Sequence, residues 1–332
     1  MDLQNRIKLV LALGDYLKKN TEEWQEIKQQ AFYRNGWFIP EFTDHATQQI
    51  LENFLQEDKL KKWAAHYHLD DNVVAKNVGI VMAGNIPLVG FHDFLTVFIS
   101  GHKQTIKLSS KDDLLLKHLI TVMTTLNPEV SEYIAIEEML KGCDAYIATG
   151  SNNSGRYFEQ YFAKYPNIIR RNRTSVAILS GHETPDELLH LSDDIHLYFG
   201  LGCRNLTKLY VPSGYDFVPM LAAFEKYTFF ADHHKYKNNY DYQLSILLLN
   251  NIYYMTDGVT LLIENESKFS PISQLNYEFY KEGQDPHQLV QSDPDVQAIV
   301  SASGTGFGEA QHPGLFTYAD GVDTMQFLLS IS

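Results

Sequence analysis

The feature that most constrains the fold is a regular alternation of strand-like and helix-like segments that begins near residue 73. Short apolar runs typical of buried strands alternate with longer amphipathic runs. The strand-like segments are NVGIVMAG, TIKLSS, DAYIATG and SVAILSG. Because strands that alternate with helices form parallel sheets covered by those helices, the alternation predicts an α/β fold.

Residues 1 to about 70 have a different texture and predict a helical N-terminal region. The stretch TDHATQQILENFLQEDKLKKWAAHY has helical periodicity, and Thr43 is a candidate N-cap for it. Trp24, Trp37 and Trp63 all fall in this region. We expect them to pack in the core, and the alternative is that they cover an apolar ligand.

Residues 77–101 are apolar enough to resemble a membrane span. Polar residues and Pro87 interrupt the run, so we expect a buried strand, a turn and a buried helix, and no transmembrane segment.

The N-terminus lacks the pattern of a signal peptide. Two cysteines, Cys143 and Cys203, give neither a disulfide framework nor a zinc-binding spacing. A cytoplasmic location is therefore expected.

The net charge of -14 bears on the class of partner. A negative field repels nucleic-acid phosphates, so we expect no nucleic-acid partner, although a small anionic ligand responds to local charge.

The segment ADHHKYKNN offers Asp232, His233 and His234 but no third ligand at a suitable spacing. We therefore predict no metal site.

Three turns that follow predicted strands carry candidate functional residues. Asn85 lies in AGNIP, where its amide could face an oxyanion in a ligand crevice or simply favour a turn. In IATGSNNSG a strand ends at Thr149, Gly150 and Gly155 lie in the turn, and a helix follows. The backbone N–H groups at the N-terminus of that helix could bind a phosphate. An ordinary turn with no ligand is about as typical of this glycine pattern as a phosphate-binding loop. Lys107 ends a strand, where it would meet a cofactor hydroxyl or phosphate or remain an ordinary surface lysine.

The segment YFGLGCRNLTKLYVP contains Cys203 before a strand-like run. A cysteine in such a turn is either a nucleophile, active as the thiolate, or a small buried apolar residue. Arg204 and Lys208 are near in sequence and would favour the thiolate. The segment alone leaves both interpretations open.

Two neighbouring segments have simpler interpretations. TPDELLHLSDDIHLYF predicts a helix capped by Thr184 with Pro185 at its first position. Asp193 and Asp194 lie near its end, where we expect a solvated face. SGTGFG resembles a nucleotide loop, but Pro313 follows too soon for a long helix, so we interpret it as a backbone turn near the active site.

The order and spacing of these segments resemble the aldehyde dehydrogenase superfamily. GLGCRNLTKLYV resembles its Gly-x-x-Cys element, with Thr207 and Lys208 in the places of a Ser-Arg pair before a strand. ATGSNNSG resembles its Thr-Gly-Ser-x-x-x-Gly loop, AGNIP its Asn-x-Pro element without the tryptophan, and IKLSS its Lys-Pro-Ser-Glu element.

Within that superfamily the chain resembles the acyl-CoA reductase family of the LuxC type. The resemblance covers roughly residues 75–330 and is specific in combination. The phrases that carry it are GNIPLVG, IKLSSKD, ATGSNNSGRYF, RNRTSVAIL, DIHLYFGLGCRN, FSPISQLNYEFY and YADGVDTMQFL.

This resemblance implies an aldehyde dehydrogenase-like α/β fold. The expected parts are a helical region (1–70), a Rossmann-type nucleotide-binding domain (71–198), an α/β catalytic domain (199–310) and a C-terminal return segment (311–332). It implies that Cys203 is the nucleophile and that Asn85 holds the oxyanion. The implied cofactor-binding residues are Lys107, Ser109, Ser110, Thr149, Gly150, Ser151 and Gly155.

One departure from the superfamily bears on the reaction. Hydrolytic aldehyde dehydrogenases carry a general-base glutamate at the end of a strand between the Gly-rich loop and the cysteine, whereas residues 161–182 contain no Asp or Glu. Ser110, beside Lys111, replaces the carboxylate of NAD-preferring relatives, which favours NADPH, with NADH as the alternative.

The sequence therefore predicts reduction of a fatty acyl-CoA to the aldehyde through a cysteine acyl-enzyme, with coenzyme A as part of the substrate. The alternatives are an NAD(P)-dependent aldehyde dehydrogenase that oxidises an aldehyde and a non-catalytic acyl-binding assembly subunit. Each of these three functions is compatible with a homo-oligomer or with a partner enzyme.

Overall fold

The computed structural model describes residues 1–281 and 283–331, and the chain folds as two compact units. The first unit comprises Met1–Asn172 and Pro313–Ser332, and the second comprises Arg173–His312. The functional division expected at residues 70, 198 and 310 stays a prediction, and its boundaries differ from those of the two compact units.

The helices and strands are numbered in chain order within the described residues. The helices are α1 (Leu3–Lys19), α2 (Glu22–Arg34), α3 (Pro40–Asn53), α4 (Glu57–His66), α5 (Phe91–Ser100), α6 (Leu115–Leu126), α7 (Asn152–Phe162), α8 (Pro185–His196), α9 (Val218–Ala223), α10 (His234–Leu249), α11 (His287–Val290) and α12 (Thr324–Ser330). The strands are β1 (Asn77–Val81), β2 (Lys103–Lys107), β3 (Ile134–Ile136), β4 (Ala145–Thr149), β5 (Asn167–Arg170), β6 (Thr174–Ile178), β7 (Leu206–Pro212), β8 (Met255–Thr256), β9 (Leu261–Glu264), β10 (Gln274–Tyr280) and β11 (Val296–Val300).

The first unit contains a parallel five-stranded sheet in the order β3-β2-β1-β4-β5. The chain builds outward from β1 in one direction through β2 and β3, then returns beside β1 and builds in the other direction through β4 and β5. This reversal is the arrangement of dinucleotide-binding α/β sheets, in which ligands bind outside the carboxyl ends of the strands where the order reverses. The predicted parallel α/β fold is confirmed.

The predicted helical N-terminal region is also confirmed, because α1 to α4 occupy it. Leu3, Val10 and Leu17 follow one stripe of α1 and are buried, since residues spaced by three, four or seven share a helix face. Trp24 and Trp63 are fully buried in the core of the first unit, as expected for core packing.

The predicted helix start at Thr43 is wrong. Helix α3 begins one turn earlier, at Pro40, whose fixed φ suits the first turn of a helix. Thr43 is buried inside the helix, and its hydroxyl donates to the carbonyls of Phe38 (3.3 Å) and Ile39 (3.2 Å).

The apolar stretch 77–101 forms strand β1, a turn and helix α5, as predicted. Phe91, Phe94 and Phe98 of α5 are all buried in the core, which explains why the segment is so apolar. Within the described part of the chain, no helix has both the length and the apolar character needed to span a bilayer.

The second unit contains a six-stranded sheet in the order β11-β6-β7-β10-β9-β8, in which only the short β8 runs antiparallel to its neighbour among the described residues. Helix α8 precedes β7. It has the predicted cap: Thr184 accepts from the backbone of Glu187, the Glu187 carboxylate accepts from the backbone of Thr184, and Pro185 follows. This capping box fixes where α8 begins and therefore where the segment after it emerges.

Candidate active site

The carboxyl edge of the first sheet gathers the turns that the sequence singled out. The Asn85 turn follows β1, the Gly150 loop follows β4, and Lys107 ends β2. Because β1 is hydrogen-bonded to both β2 and β4 in parallel, these three segments emerge side by side. The point of reversal between β1 and β4 is where such a sheet forms its ligand crevice.

The turn that carries Asn85 is held closely against the segment after β2. A Cβ atom added at Gly84 would lie 2.6 Å from the hydroxyl of Ser109, so only glycine allows this approach. At the other end of the turn, Leu88 has a left-handed backbone conformation with φ of 56°. Its N–H donates to the carboxylate of Asp112 over 2.8 Å. Asn85, half-buried, lies between these two anchors.

The three residues predicted at the end of β2 differ in exposure. Lys107 and Ser110 are exposed, whereas Ser109 is half-buried. The Ser109 carbonyl accepts from the N–H of Asp112 over 3.0 Å, which closes a tight turn. Lys107 and Ser110 are therefore accessible to a ligand at this edge, and Ser109 has a structural bond as well.

The Gly-rich loop leads from β4 directly into α7. Thr149 ends the strand, and Ser151 caps the helix by accepting from the N–H of Ser154 over 3.3 Å. A Cβ atom at Gly150 would come within 2.9 Å of Phe158 and Ser154. The N–H of Gly155 donates to the Ser151 carbonyl at 2.8 Å, so Gly155 belongs to the first helical turn.

These features fit a nicotinamide dinucleotide at the carboxyl edge. The glycines keep the backbone free of side chains, and the N-terminus of α7 provides the positive end of a helix dipole. The assignment of Lys107, Ser109, Ser110, Thr149, Gly150, Ser151 and Gly155 to cofactor binding stays a prediction.

Cys203 belongs to the second unit and lies at the amino edge of its sheet, in the turn between α8 and β7. The turn is closed by a bond from the N–H of Asn205 to the carbonyl of Gly202 at 3.1 Å. The Cys203 carbonyl accepts from the hydroxyl of Ser175 on β6 at 3.1 Å, and the residue is half-buried. Cys203 is therefore a fixed turn residue with part of its surface accessible.

Asn205 clamps this turn to the end of α8. Its side-chain oxygen accepts from the N–H of Gly202 over 2.8 Å. Its amide nitrogen lies 3.1, 3.3 and 2.9 Å from the carbonyls of Asp194, Ile195 and Leu197, which are at the end of α8. The side chain is fully buried. One amide thus satisfies carbonyls that a helix terminus leaves unpaired and fixes the cysteine turn at the same time.

The chain reverses sharply just before this turn. Tyr198, Phe199 and Gly200 all have positive φ, at 56°, 58° and 72°. Two buried non-glycine residues in the left-handed region are costly, and such a conformation persists only where the surrounding structure enforces it. Here the aromatic packing of Phe199 on Phe230, with ring centroids 4.5 Å apart, helps to hold the reversal.

The expectation that Asp194 lies on a solvated face is wrong. The residue is fully buried, and its two carboxylate oxygens accept from the N–H groups of Gly308 (2.7 Å) and Ala310 (3.0 Å). Burial raises its pKa to about 7, against the opposing effect of these two bonds. The SGTGFG segment is a turn, as predicted, and Asp194 attaches its end to α8.

Lys208 has other partners than the sequence suggested. Its side chain is fully buried on β7, where the ammonium binds the carboxylate of Glu278 at 2.8 Å and the carbonyl of Asn265. Its charge is therefore compensated within the second sheet.

A cavity of about 30 Å³ lies at the same amino edge, with Phe199, Thr207 and Thr260 among its lining residues. This volume suits water and is far too small for an acyl chain. His196, also in the lining, is buried, which lowers its pKa to about 4. Since the Ser192 carbonyl can only accept, Nδ1 donates to it at 2.8 Å, and Nε2 accepts from Thr260 at 2.8 Å. Both ring nitrogens are thus occupied, and His196 is not a general base here.

Strand β5 ends in a cation where the resemblance places an acid. The guanidinium of Arg170 is buried, pairs with the carboxylate of Asp93 on α5 and donates to the hydroxyl of Thr324 over 2.8 Å. The next acid along the chain, Glu183, follows the carboxyl end of β6, whereas Cys203 precedes the amino end of β7. Since β6 and β7 are parallel, Glu183 and Cys203 lie at opposite edges of the second sheet.

The sequence did not predict the structural roles of three residues near these sites: Asp112, Asp194 and Asn205. A signal existed for Asp194, because it follows Leu191 by three residues and therefore shares a buried helix face. Asp112 and Asn205 act through contacts with distant segments or with helix carbonyls, for which single-sequence patterns give no signal. Within residues 1–281 and 283–331, no group of three or more metal-ligating side chains is suitably placed for an ion.

Comparison with known proteins identifies the fold. No protein-family model and no curated protein sequence matches the chain. Among solved structures, an aldehyde dehydrogenase from Mycobacterium tuberculosis complexed with NAD+ matches at a TM-score of 0.63 and 13% identity, over 91% of this chain and 74% of that one. An NAD-dependent aldehyde dehydrogenase from Sinorhizobium meliloti matches at 0.65 and 11%, over 91% and 71%. Aldehyde dehydrogenase 21 from Physcomitrella patens, in complex with its product succinate, matches at 0.66 and 13%, over 91% and 74%. The chain therefore has the aldehyde dehydrogenase fold.

Proposed function

We propose that the protein reduces a fatty acyl thioester, such as an acyl-CoA, to the aldehyde with NADPH, through an acyl-enzyme on Cys203. The observation that carries this choice is the cation at the end of β5, where Arg170 stands in the place of the general-base glutamate of hydrolytic aldehyde dehydrogenases and pairs with Asp93. An acyl group on Cys203 would then pass to hydride or to coenzyme A and not to water.

The chemistry divides into two transfers. The Cys203 thiolate attacks the acyl carbonyl, a new carbon–sulfur bond forms, and the bond to the coenzyme A sulfur breaks with release of its thiolate, which takes a proton from solvent. When bound, NADPH would supply the hydride that adds to the carbonyl of the acyl-enzyme. The resulting oxyanion on the Cys203 adduct collapses, the bond to Cys203 breaks, and aldehyde leaves as the thiolate returns.

Two groups of this chain would stabilise the oxyanion in both transfers, namely the side-chain amide of Asn85 and the backbone N–H of Cys203. The closed turn around Cys203 and the two-point anchoring of the Asn85 turn support these roles, because such donors act best when they are already oriented. Losing one such donor costs roughly 2.7–4 kcal/mol of barrier stabilisation.

The cofactor assignment rests on the carboxyl edge of the first sheet. Ser110 is exposed there and brings no negative charge that would repel a 2′-phosphate. NADH is the alternative, and the neighbour complexed with NAD+ supports a nicotinamide cofactor of either kind. An oxidative aldehyde dehydrogenase remains the competing activity, because the fold is shared.

A direct assay separates these activities. Purified protein is incubated with a chain-length series of acyl-CoAs, and consumption of NADPH or NADH is followed by absorbance. We expect consumption that depends on chain length, together with aldehyde formation. Turnover of an aldehyde with NAD+ but of no acyl-CoA would overturn the proposal in favour of the oxidative activity.

The nucleophile is tested by mass spectrometry of the acylated protein. Cys203→Ala should abolish the covalent adduct, whereas Cys143→Ala should leave it intact. Cys143 is a matched control because it is the other thiol of the chain and is buried in the first unit. An adduct that persists in Cys203→Ala would assign the nucleophile elsewhere.

A further inference from the structure

Asp112 joins two segments at the carboxyl edge of the first sheet. Its Oδ2 atom accepts from the N–H of Leu88 at 2.8 Å, and its own N–H donates to the carbonyl of Ser109 at 3.0 Å. The first bond reaches the Asn85 turn after β1, and the second belongs to the Ser109 turn after β2. One residue therefore connects the turn proposed to hold the oxyanion with the turn proposed to hold the cofactor ribose.

The other carboxyl oxygen of Asp112 has no such bond. Among the described residues Oδ1 is buried and has no hydrogen-bond partner, and only 9% of the residue is exposed. Burial raises the pKa of Asp112 to about 7, the Leu88 N–H opposes this, and the neighbouring Asp113 adds to it. A half-satisfied buried carboxyl is costly for stability, so its presence calls for a reason other than stability.

The Asn85 turn needs an anchor at this point. Leu88 is in the left-handed region, which costs a non-glycine residue roughly 1–2 kcal/mol. At the other end of the turn, Gly84 approaches Ser109 so closely that no side chain would fit. Asn85 thus lies between the close approach at Gly84 and the hydrogen bond from Leu88 to Asp112, and this hydrogen bond is one that a side chain controls.

We propose that Asp112 is a positioning residue that acts through Asn85. By holding Leu88 in its left-handed conformation, it fixes the backbone of the turn from which the Asn85 amide projects. This inference rests on the proposed function for its kinetic consequence, but the structural role of Asp112 in the turn is independent of the reaction.

The kinetic test is a double-mutant cycle on the rate of Cys203 acylation, followed by quenched mass spectrometry. Asn85→Ala should slow acylation roughly 100-fold, as the loss of one oxyanion donor does. Asp112→Ala should slow it roughly 10-fold in the wild-type background and less than about 2-fold in the Asn85→Ala background, since both changes remove the same contact. An equal loss in both backgrounds would overturn the proposal.

Two further variants separate positioning from charge. Asp112→Asn keeps an oxygen that accepts from Leu88, so acylation should return to within about 3-fold of wild type. Asp113→Asn is the matched control, because Asp113 is the next acid on the same segment and pairs with Arg34 at the surface. It should leave acylation unchanged. A loss in Asp112→Asn as large as in Asp112→Ala would show that the bond to Leu88 is not what matters.

Hydrogen exchange tests the same role without any reaction. Amide exchange of the peptide 84–90 should rise in Asp112→Ala, return in Asp112→Asn and stay unchanged in Asp113→Asn. Unchanged exchange of this peptide in Asp112→Ala would refute the anchoring role. If the wild type forms no acyl-enzyme, the proposed function fails, and the exchange experiment still decides whether Asp112 holds the turn.

Discussion

The two units use opposite edges of their sheets. In the first unit the candidate residues follow the carboxyl ends of β1, β2 and β4, whereas in the second unit Cys203 precedes the amino end of β7. At a carboxyl edge, the reversal of strand order itself opens a crevice, and loops that emerge there need only the right backbone. At the amino edge no such reversal contributes, and the cysteine turn is held by side chains, chiefly Asn205.

The same contrast is visible in two buried carboxyls. Asp194, in the second unit, has an N–H group on each oxygen, whereas Asp112, in the first, has one on Oδ2 and none on Oδ1 among the described residues. Both oxygens of Asp194 are bonded, as expected of a carboxylate that links two segments of the fold. Within the described part of the chain, Asp112 has only one bonded oxygen, as expected of a residue whose role is to position the turn that it contacts. We therefore expect that removing a side chain at the amino edge of the second sheet lowers the free energy of unfolding more than removing one at the carboxyl edge of the first sheet.

The largest effect is expected for Asn205→Ala. The change leaves the Gly202 N–H and the terminal carbonyls of α8 without their partner in a buried place, at about 1–3 kcal/mol for each unpaired group. We expect a loss of about 3–5 kcal/mol in the free energy of unfolding, measured by urea denaturation. Asn250→Ala is the control, because Asn250 also donates to a helix carbonyl but is exposed. Similar losses in both variants would contradict the clamp.

Asp194→Ala should follow. It leaves the N–H groups of the half-buried Gly308 and the buried Ala310 unpaired, which should cost about 2–4 kcal/mol in the same measurement. Asp193→Ala is the matched control. Asp193 binds Lys226 and Tyr227 near the surface, so its removal should cost about 1 kcal/mol or less. A larger loss of unfolding free energy in Asp193→Ala than in Asp194→Ala would contradict the structural role of Asp194.

The pH dependence of stability should reveal both buried carboxyls. The pKa of each rises from 3.8 to about 7 on folding, so between these values the folded protein keeps a proton that the unfolded chain has lost. Their contribution to stability is therefore largest at acid pH and falls as the pH rises towards 7. His196, whose pKa falls to about 4, acts in the opposite direction between pH 4 and 6.5.

Substitution by asparagine removes this effect one carboxyl at a time. Between about pH 5 and pH 7, the unfolding free energy of Asp112→Asn relative to wild type should shift by about 2 kcal/mol in favour of the variant. Asp194→Asn should shift in the same direction. Taking the difference between variant and wild type cancels His196 and every other titrating group. A difference that stays constant with pH would show that the carboxyl is ionised alike in both states.

Gly84→Ala should have the smallest effect on stability and a local one. The new methyl group would overlap Ser109, so the two turns must separate, at about 1–2 kcal/mol. Gly314→Ala is the control, because a Cβ there meets nothing within 4 Å. We expect weaker cofactor binding in Gly84→Ala alone, measured by fluorescence titration. Equal binding in the two variants would mean that the close approach at Gly84 is not needed for the site.

Local patterns indicated strands β1, β2, β4, β6 and β7, because the signals of buried strands are local, whereas the fold as a whole was expected from the resemblance. Segments such as NVGIVMAG and TKLYVP, and the capping box at Thr184, form where their patterns indicate. The sequence misplaced the start of α3 by a turn and the burial of Asp194. In both places a single residue type was taken at its usual preference, Thr43 as a cap and Asp194 as a surface acid.

The sequence by itself determined the strands that carry the candidate turns, namely β1, β2, β4 and β7, and which residues at those turns have the chemistry for a reaction. Only the tertiary structure decided the partners of those residues, because a hydrogen bond between Asp112 and Leu88 or between Asp194 and Gly308 joins positions far apart in the chain. It also decided that Arg170 ends β5 as a buried, paired cation. Burial sets both the cost of an unpaired group and the pKa of a carboxyl, and burial is a property of the packed chain, not of a residue's neighbours in sequence.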